Sequence, residues 1–105
     1  MRILFDACVP WPLSNELSAH DCRTAQQLQW SQIKNGELLS LAEPQFDLFL
    51  TCDQNLQYQQ NLTGRSIAIL ELSTNKLRRL VGAAQLIRDT IAPMQPSEFR
   101  RLEIP

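Results

Sequence analysis

Two apolar runs in this chain stop on an acid: Ile3-Leu4-Phe5 ends at Asp6, and Leu48-Phe49-Leu50-Thr51-Cys52 ends at Asp53. A short apolar run without alternation is the mark of a strand buried on both faces, and an acid at its end is where that strand meets water. A third run, Ile67-Ala68-Ile69-Leu70, follows Gly64. Helical patterns separate the three, so the chain is predicted to be an α/β domain with a mostly parallel central sheet, helices on both faces and right-handed crossovers. In such sheets the working site lies outside the C-terminal strand ends. Asp6 and Asp53 therefore meet if their strands are neighbours.

The segments between the runs complete the pattern. Pro10 and Pro12 suit the start of a helix near residues 12–19, and residues 21–25 read as a second, short strand. Residues 26–32 are ambiguous, with room for one helical turn carrying Trp30. A clearer helix begins near Asn35, a candidate cap, carries Glu37 in its first turn and exits at Pro44. A polar stretch, Gln54 to Asn61, reads as a short helix and loop. The best-defined helix is capped by Ser73 or Asn75 and runs to Pro93. Its stripe of Leu77, Leu80, Val81, Ala84, Ile87 and Ile91 is predicted to face the core, with Lys76, Arg78, Arg79, Arg88 and Asp89 outside. Residues 98–104 alternate as an edge strand would, and the segment 94–105 is expected to serve as that strand or as an oligomer contact.

At 105 residues, 44% of them hydrophobic, the chain has room for one domain spanning 1–105 and one core. Such a core needs no metal or disulfide staple, so any metal would be functional. The three cysteines, Cys8, Cys22 and Cys52, are odd in number and show no C-x-x-C spacing, which favours reduced, mostly buried thiols. No apolar run approaches the roughly 18 residues that cross a bilayer, and an acid at position 6 does not suit a signal peptide. The expectation is a cytoplasmic protein. Charge is divided along the chain: residues 1–63 carry three bases and seven acids, residues 64–105 seven bases and four acids. That division suits a cation site beside a phosphate-binding surface, although a solvated charged exterior explains it as well. His20, the only imidazole, reads as a turn residue. With three glycines there is no Gly-rich phosphate loop, and no nucleophile elbow is present. Trp11 and Trp30 read as core or interface anchors, though either could line a groove.

Asp6, Glu37 and Asp53 are the candidate site. Helices of a βαβ unit begin at the sheet edge where strands end, so the three are expected to face one cleft. Crowded carboxylates repel, and a divalent cation relieves them. Hard oxygen donors without His or Cys partners suit Mg²⁺ or Mn²⁺ rather than zinc. Taken singly, each acid also has a structural explanation: solvating a strand end, complementing a helix dipole, or capping a short helix.

Several motifs, in order, resemble the small bacterial PIN-like domains of toxin–antitoxin type, related to VapC-type toxins. They are Arg2-Ile3-Leu4-Phe5-Asp6 with Pro10, His20-Asp21, Trp30, Lys34-Asn35-Gly36-Glu37-Leu38-Leu39, and Leu50-Thr51-Cys52-Asp53-Gln54-Asn55-Leu56 followed by Gln59-Gln60-Asn61-Leu62. The match spans residues 1–91. The resemblance implies a PIN-like three-layer α/β/α sandwich and a Mg²⁺-dependent endoribonuclease, the toxin component of a pair, held in check by an antitoxin and expected to be a homodimer. Asp6, Glu37 and Asp53 match its acidic pocket, Thr51 the small hydroxyl residue before the last acid, and Asn55 the asparagine after it. Ala7 stands where relatives carry a second acid, and an additional mid-chain acid of larger PIN nucleases has no convincing counterpart here.

The chemistry so implied is hydrolysis of RNA phosphodiesters by a metal-activated water. Thr51 and Asn55 are then expected to support the acids or touch the scissile phosphate, and Arg65, Arg78 and Arg79 to bind the RNA backbone. Two rival readings remain at this stage. One is a catalytically decayed PIN-like module that works by binding an antitoxin or a homologous subunit. The other is a phospho-accepting receiver-like domain, which the lone acid at the first strand and the lack of a following lysine disfavour.

Overall fold

The apolar runs become the three inner strands. In a computed structural model describing residues 1–56 and 65–105, β1 (Arg2–Phe5), β3 (Leu48–Thr51) and β4 (Ala68–Leu72) are buried on both faces, apart from Arg2. The flanking strands β2 (Asp21–Thr24) and β5 (Phe99–Leu102) carry the exposed charged residues that an edge tolerates. The order is β2-β1-β3-β4-β5 and every pairing is parallel. Neighbours of β1 thus follow it in the chain on both sides, which makes the β1–β3 boundary the topological switch point.

Alternation along the inner strands divides the core between the two faces. Ile3, Phe5, Leu48, Leu50, Ala68, Leu70 and Leu72 point to one side, where a 3₁₀ helix (Trp11–Leu17), α2 (Leu77–Gly82) and α3 (Ala84–Ile91) cover them. Leu4, Phe49 and Ile69 point to the other, against Leu38, Leu39 and Ala42 of α1 (Asn35–Ala42). The result is the three-layer α/β/α arrangement expected. Of the short helix and loop expected over Gln54 to Asn61, residues 57–61 lie outside the described residues, as does the Gln59-Gln60-Asn61-Leu62 motif.

Three local expectations are corrected. Residues 11–17 wind as a 3₁₀ rather than an α-helix, with Pro12 in the first turn. Neither long helix starts with a side-chain cap: the cap positions are Lys34 and Lys76, while Ser73 accepts the Ile104 N–H (2.8 Å) instead. The helix expected to run unbroken to Pro93 is interrupted at Ala83 (φ −103°, ψ 16°), whose N–H is shared among the carbonyls of the preceding turn. Val81, expected on the core-facing stripe, is 40% exposed.

The expectation of uniformly right-handed crossovers is also corrected. The β1→β2 and β2→β3 connections move in opposite directions over opposite faces, and so share one hand. The β4→β5 connection moves in the same direction as β2→β3 but over the opposite face, which gives it the other hand. The rule is strict where one helix packs straight back on a twisted strand.

Gly82 precedes the break. A Cβ added there meets nothing within 4 Å, so Gly82→Ala should stabilise the fold by about 0.5–1 kcal/mol through helix propensity and a stiffer unfolded chain. A melting midpoint raised by a few degrees would show it; a lowered one would mean that the interruption needs glycine.

At the opposite, N-terminal edge of the sheet, Asp47 accepts the Arg2 backbone N–H (2.8 Å) and faces its guanidinium. Mainly that N–H, with the guanidinium assisting, holds the carboxyl below its usual pKa. A folded-state pKa below the unfolded one gives stability that is complete above the unfolded value, about 3.9, and is lost as pH falls through the folded value. Urea unfolding at pH 7 and pH 3 should therefore show a smaller acid loss in Asp47→Asn than in the wild type.

Candidate functional site

The β1–β3 ladder continues one step past β1: the Asp6 N–H bonds to the Leu50 carbonyl (2.9 Å). This places Asp6 beside Thr51, and the β3–β4–β5 register aligns Thr51 with Glu71 and Arg101. Asp6, Thr51, Glu71 and Arg101 thus form a polar row across four adjacent strands at the C-terminal edge. Thr51, fully buried, is its hinge. Its hydroxyl donates to Asp6 Oδ2 (2.8 Å) and accepts the Asp53 N–H (3.0 Å).

Both acids are further held by backbone. Asp6 Oδ1 accepts the Ala7 N–H (2.8 Å), while Asp53 Oδ1 accepts the Asn55 N–H (2.9 Å). Each carboxylate keeps acceptor sites unused by these bonds. Cys8 lies against the same acid: its thiol is 3.6 Å from Asp6 Oδ2, and its sulfur accepts the Cys52 N–H (3.2 Å). Cys52 donates to the Thr74 carbonyl. Its hydrogen bond with Cys8, burial, and the Asp6 and Glu71 charges push its pKa upward, so it stays a thiol. The cysteines are free but half-buried rather than fully inside.

Glu71 is the residue that the sequence reading passed over. It is completely buried, its Oε2 pairs with Arg101 Nε, and its Oε1 has no hydrogen-bond partner among the described residues. The signal was available: one acid inside an otherwise apolar strand must be paired, because an isolated buried charge is costly.

Comparison of the chain with family models, curated proteins and solved structures finds no match.

The predicted residues are distributed as follows. Thr51 bonds the Asp6 carboxylate and the Asp53 backbone N–H, and Asn55 follows on the same turn, its N–H held by the Asp53 carboxylate. Glu37 is exposed in the first turn of α1 and shares no hydrogen bond with them. Among the described residues, no group of three or more His, Cys, Asp or Glu side chains is gathered to hold a metal ion. Of the three arginines, Arg65 is occupied along α1 by the Gly36 carbonyl, Ser40 and Glu43. Arg79 bonds the Ile104 and Pro105 carbonyls. Arg78 is exposed and has no partner among the described residues. A cavity of about 420 Å³ opens beside Asp6, lined also by Trp11, Thr24, Gln26 and Ser31. Glu37 and Asp53 are not on its wall.

Thr51 ties the Asp6 carboxylate to the Asp53 backbone N–H, while the Asp53 carboxylate turns to the Asn55 N–H; a hard divalent cation of the kind that takes one or two protein carboxylates and keeps waters would draw on these two acids. They do not form a ready-made cage. Thr51→Val keeps the shape but removes the hydroxyl, leaving Asp6 Oδ2 and the Asp53 N–H short of a partner. Expected are a stability loss of about 1–3 kcal/mol in denaturant unfolding and, if the acids act on a substrate, a drop of roughly 10- to 100-fold in rate.

Proposed function

We propose that this protein is a Mg²⁺- or Mn²⁺-dependent endoribonuclease with a PIN-like fold, the toxin component of a toxin–antitoxin pair, acting in the cytoplasm. The observation supporting it is the buried Thr51 hydroxyl, which links the Asp6 carboxylate to the Asp53 backbone N–H at the switch point between β1 and β3. Asp6 and Asp53 would hold the metal, with Glu37 as the third acid of the resemblance. Bound there, the ion supplies Lewis-acid polarisation of the phosphodiester and a lowered pKa for water. Thr51 keeps the Asp6 carboxylate in one orientation, while the Asn55 backbone does the same for Asp53. The Asn55 side chain is proposed to contact the scissile phosphate. Arg78 is the cation best placed for the RNA backbone, because Arg65 and Arg79 must first leave their intramolecular partners. In this reading an antitoxin covers the site and the 94–105 segment joins two copies.

Cleavage of a single-stranded RNA with Mn²⁺, abolished by chelator, tests the proposal. A melting midpoint raised by Mn²⁺ in proportion to RT ln(1 + [L]/Kd) tests metal binding separately. The second reading is a PIN-like module that only binds an antitoxin or another subunit. It is favoured by Ala7 and by the absence of a three-acid group among the described residues. Failure of both experiments would leave it in place. A receiver-like domain shares this strand order. It is set aside because Ala7 supplies no second acid, and because the β5 cation at the site, Arg101, is already paired with Glu71.

A further inference from the structure

We propose that the cavity beside Asp6 is a nucleobase subsite, with Trp11 as its stacking wall. This rests on the ribonuclease reading for the identity of the strand and goes beyond it by assigning where a base sits. The volume, about 420 Å³, lies toward the small end of ligand sites. That suits one nucleotide unit rather than a length of chain. Among the described residues Asp6 is the only charged one lining it, so without a bound cation the cavity has no attraction for phosphate. It offers an indole, Pro10, and the polar groups of Thr24, Gln26 and Ser31.

An aromatic face with a few hydroxyl and amide groups around it is what stacks a base and meets its edge. An apolar peptide side chain would leave those polar groups without partners, at a cost in binding. The wall is also fixed in advance. Trp11 is 39% exposed, yet its ring is held edge-on to the buried Phe5, with centroids 5.5 Å apart at 71°. Thr24 and Gln27 exchange reciprocal hydrogen bonds of 3.0 Å at the end of β2. Little ordering is left for the ligand to impose. The second cavity, at the opposite sheet edge, is lined by Arg2, Glu43 and Asp47 and is remote from these acids.

Because Asp6 is negative, uncharged nucleosides in the presence of chelator are the probes. The two tryptophans give two indole N–H signals, and that of Trp11 is assigned by its loss in Trp11→Phe. Titration of the whole protein with uridine, cytidine, adenosine and guanosine in turn should shift the Trp11 signal saturably with at least one of them, and leave Trp30 unmoved. Trp11→Ala should weaken that binding roughly 5- to 100-fold, followed at the Thr24 and Gln26 amides, while Trp11→Phe should retain most of it. No saturable Trp11 shift with any nucleoside would overturn the proposal, whatever the variants do. RNA cleavage without a Trp11 response sinks the subsite alone. A Trp11 response without cleavage leaves the subsite standing and sinks the ribonuclease reading.

Discussion

Asp53→Asn should lower metal-dependent RNA cleavage by at least about 100-fold while the protein melts as the wild type does. The amide is nearly isosteric and its oxygen still accepts the Asn55 N–H, so the turn after β3 keeps its geometry. What is lost is one negative charge on the turn after β3, one of the two carboxylates proposed to hold the cation. The Mn²⁺-dependent rise in melting midpoint should shrink together with the activity. Cleavage that persists in Asp53→Asn belongs to a contaminant or to a different site. Activity lost together with the fold would instead show that Asp53 serves the structure.

The largest effect on stability is expected at β5. Arg101→Leu removes the cation from Glu71, a carboxylate with no exposure and one oxygen already without a partner among the described residues. Breaking a buried pair from one side costs about 3–5 kcal/mol. Arg101 is itself partly exposed, which places the expected loss near 3 kcal/mol and the fall in melting midpoint at roughly 10–20 °C. Adding Glu71→Leu removes the stranded charge, and packed apolar side chains often replace a buried pair at no net cost. The double variant should therefore recover to within about 1 kcal/mol of the wild type. If it melts as low as Arg101→Leu, the pair matters for more than its charges.

Much of this architecture was legible in the chain. Unbroken apolar runs mark inner parallel strands because a segment buried on both faces has no polar side to show, and Asp6 and Asp53 mark strand ends because a carboxylate there reaches water. The charged alternation of residues 98–104 suited an edge for the same local reason. The interruption at Ala83 was hidden, since Val81 looks like core in an ideal helical projection and only packing against the 3₁₀ helix selects which turn is buried. Arg65, Arg78 and Arg79 were indistinguishable as letters. Their partners, Gly36, Ser40 and Glu43 for Arg65 and the Ile104 and Pro105 carbonyls for Arg79, lie 22 to 29 residues away along the chain.

The sequence by itself determined the inner strands with the acids that follow β1 and β3, the edge strand near residues 98–104 and the exit of α1 before Pro44, because burial periodicity and chain-breaking residues act within a few positions. Only the tertiary structure decided the order β2-β1-β3-β4-β5, the hand of the last connection, the row from Asp6 through Thr51 and Glu71 to Arg101, and the exposed indole beside it. Those depend on which strands pair, a choice set by the summed fit of two sheet faces and carried by no single segment.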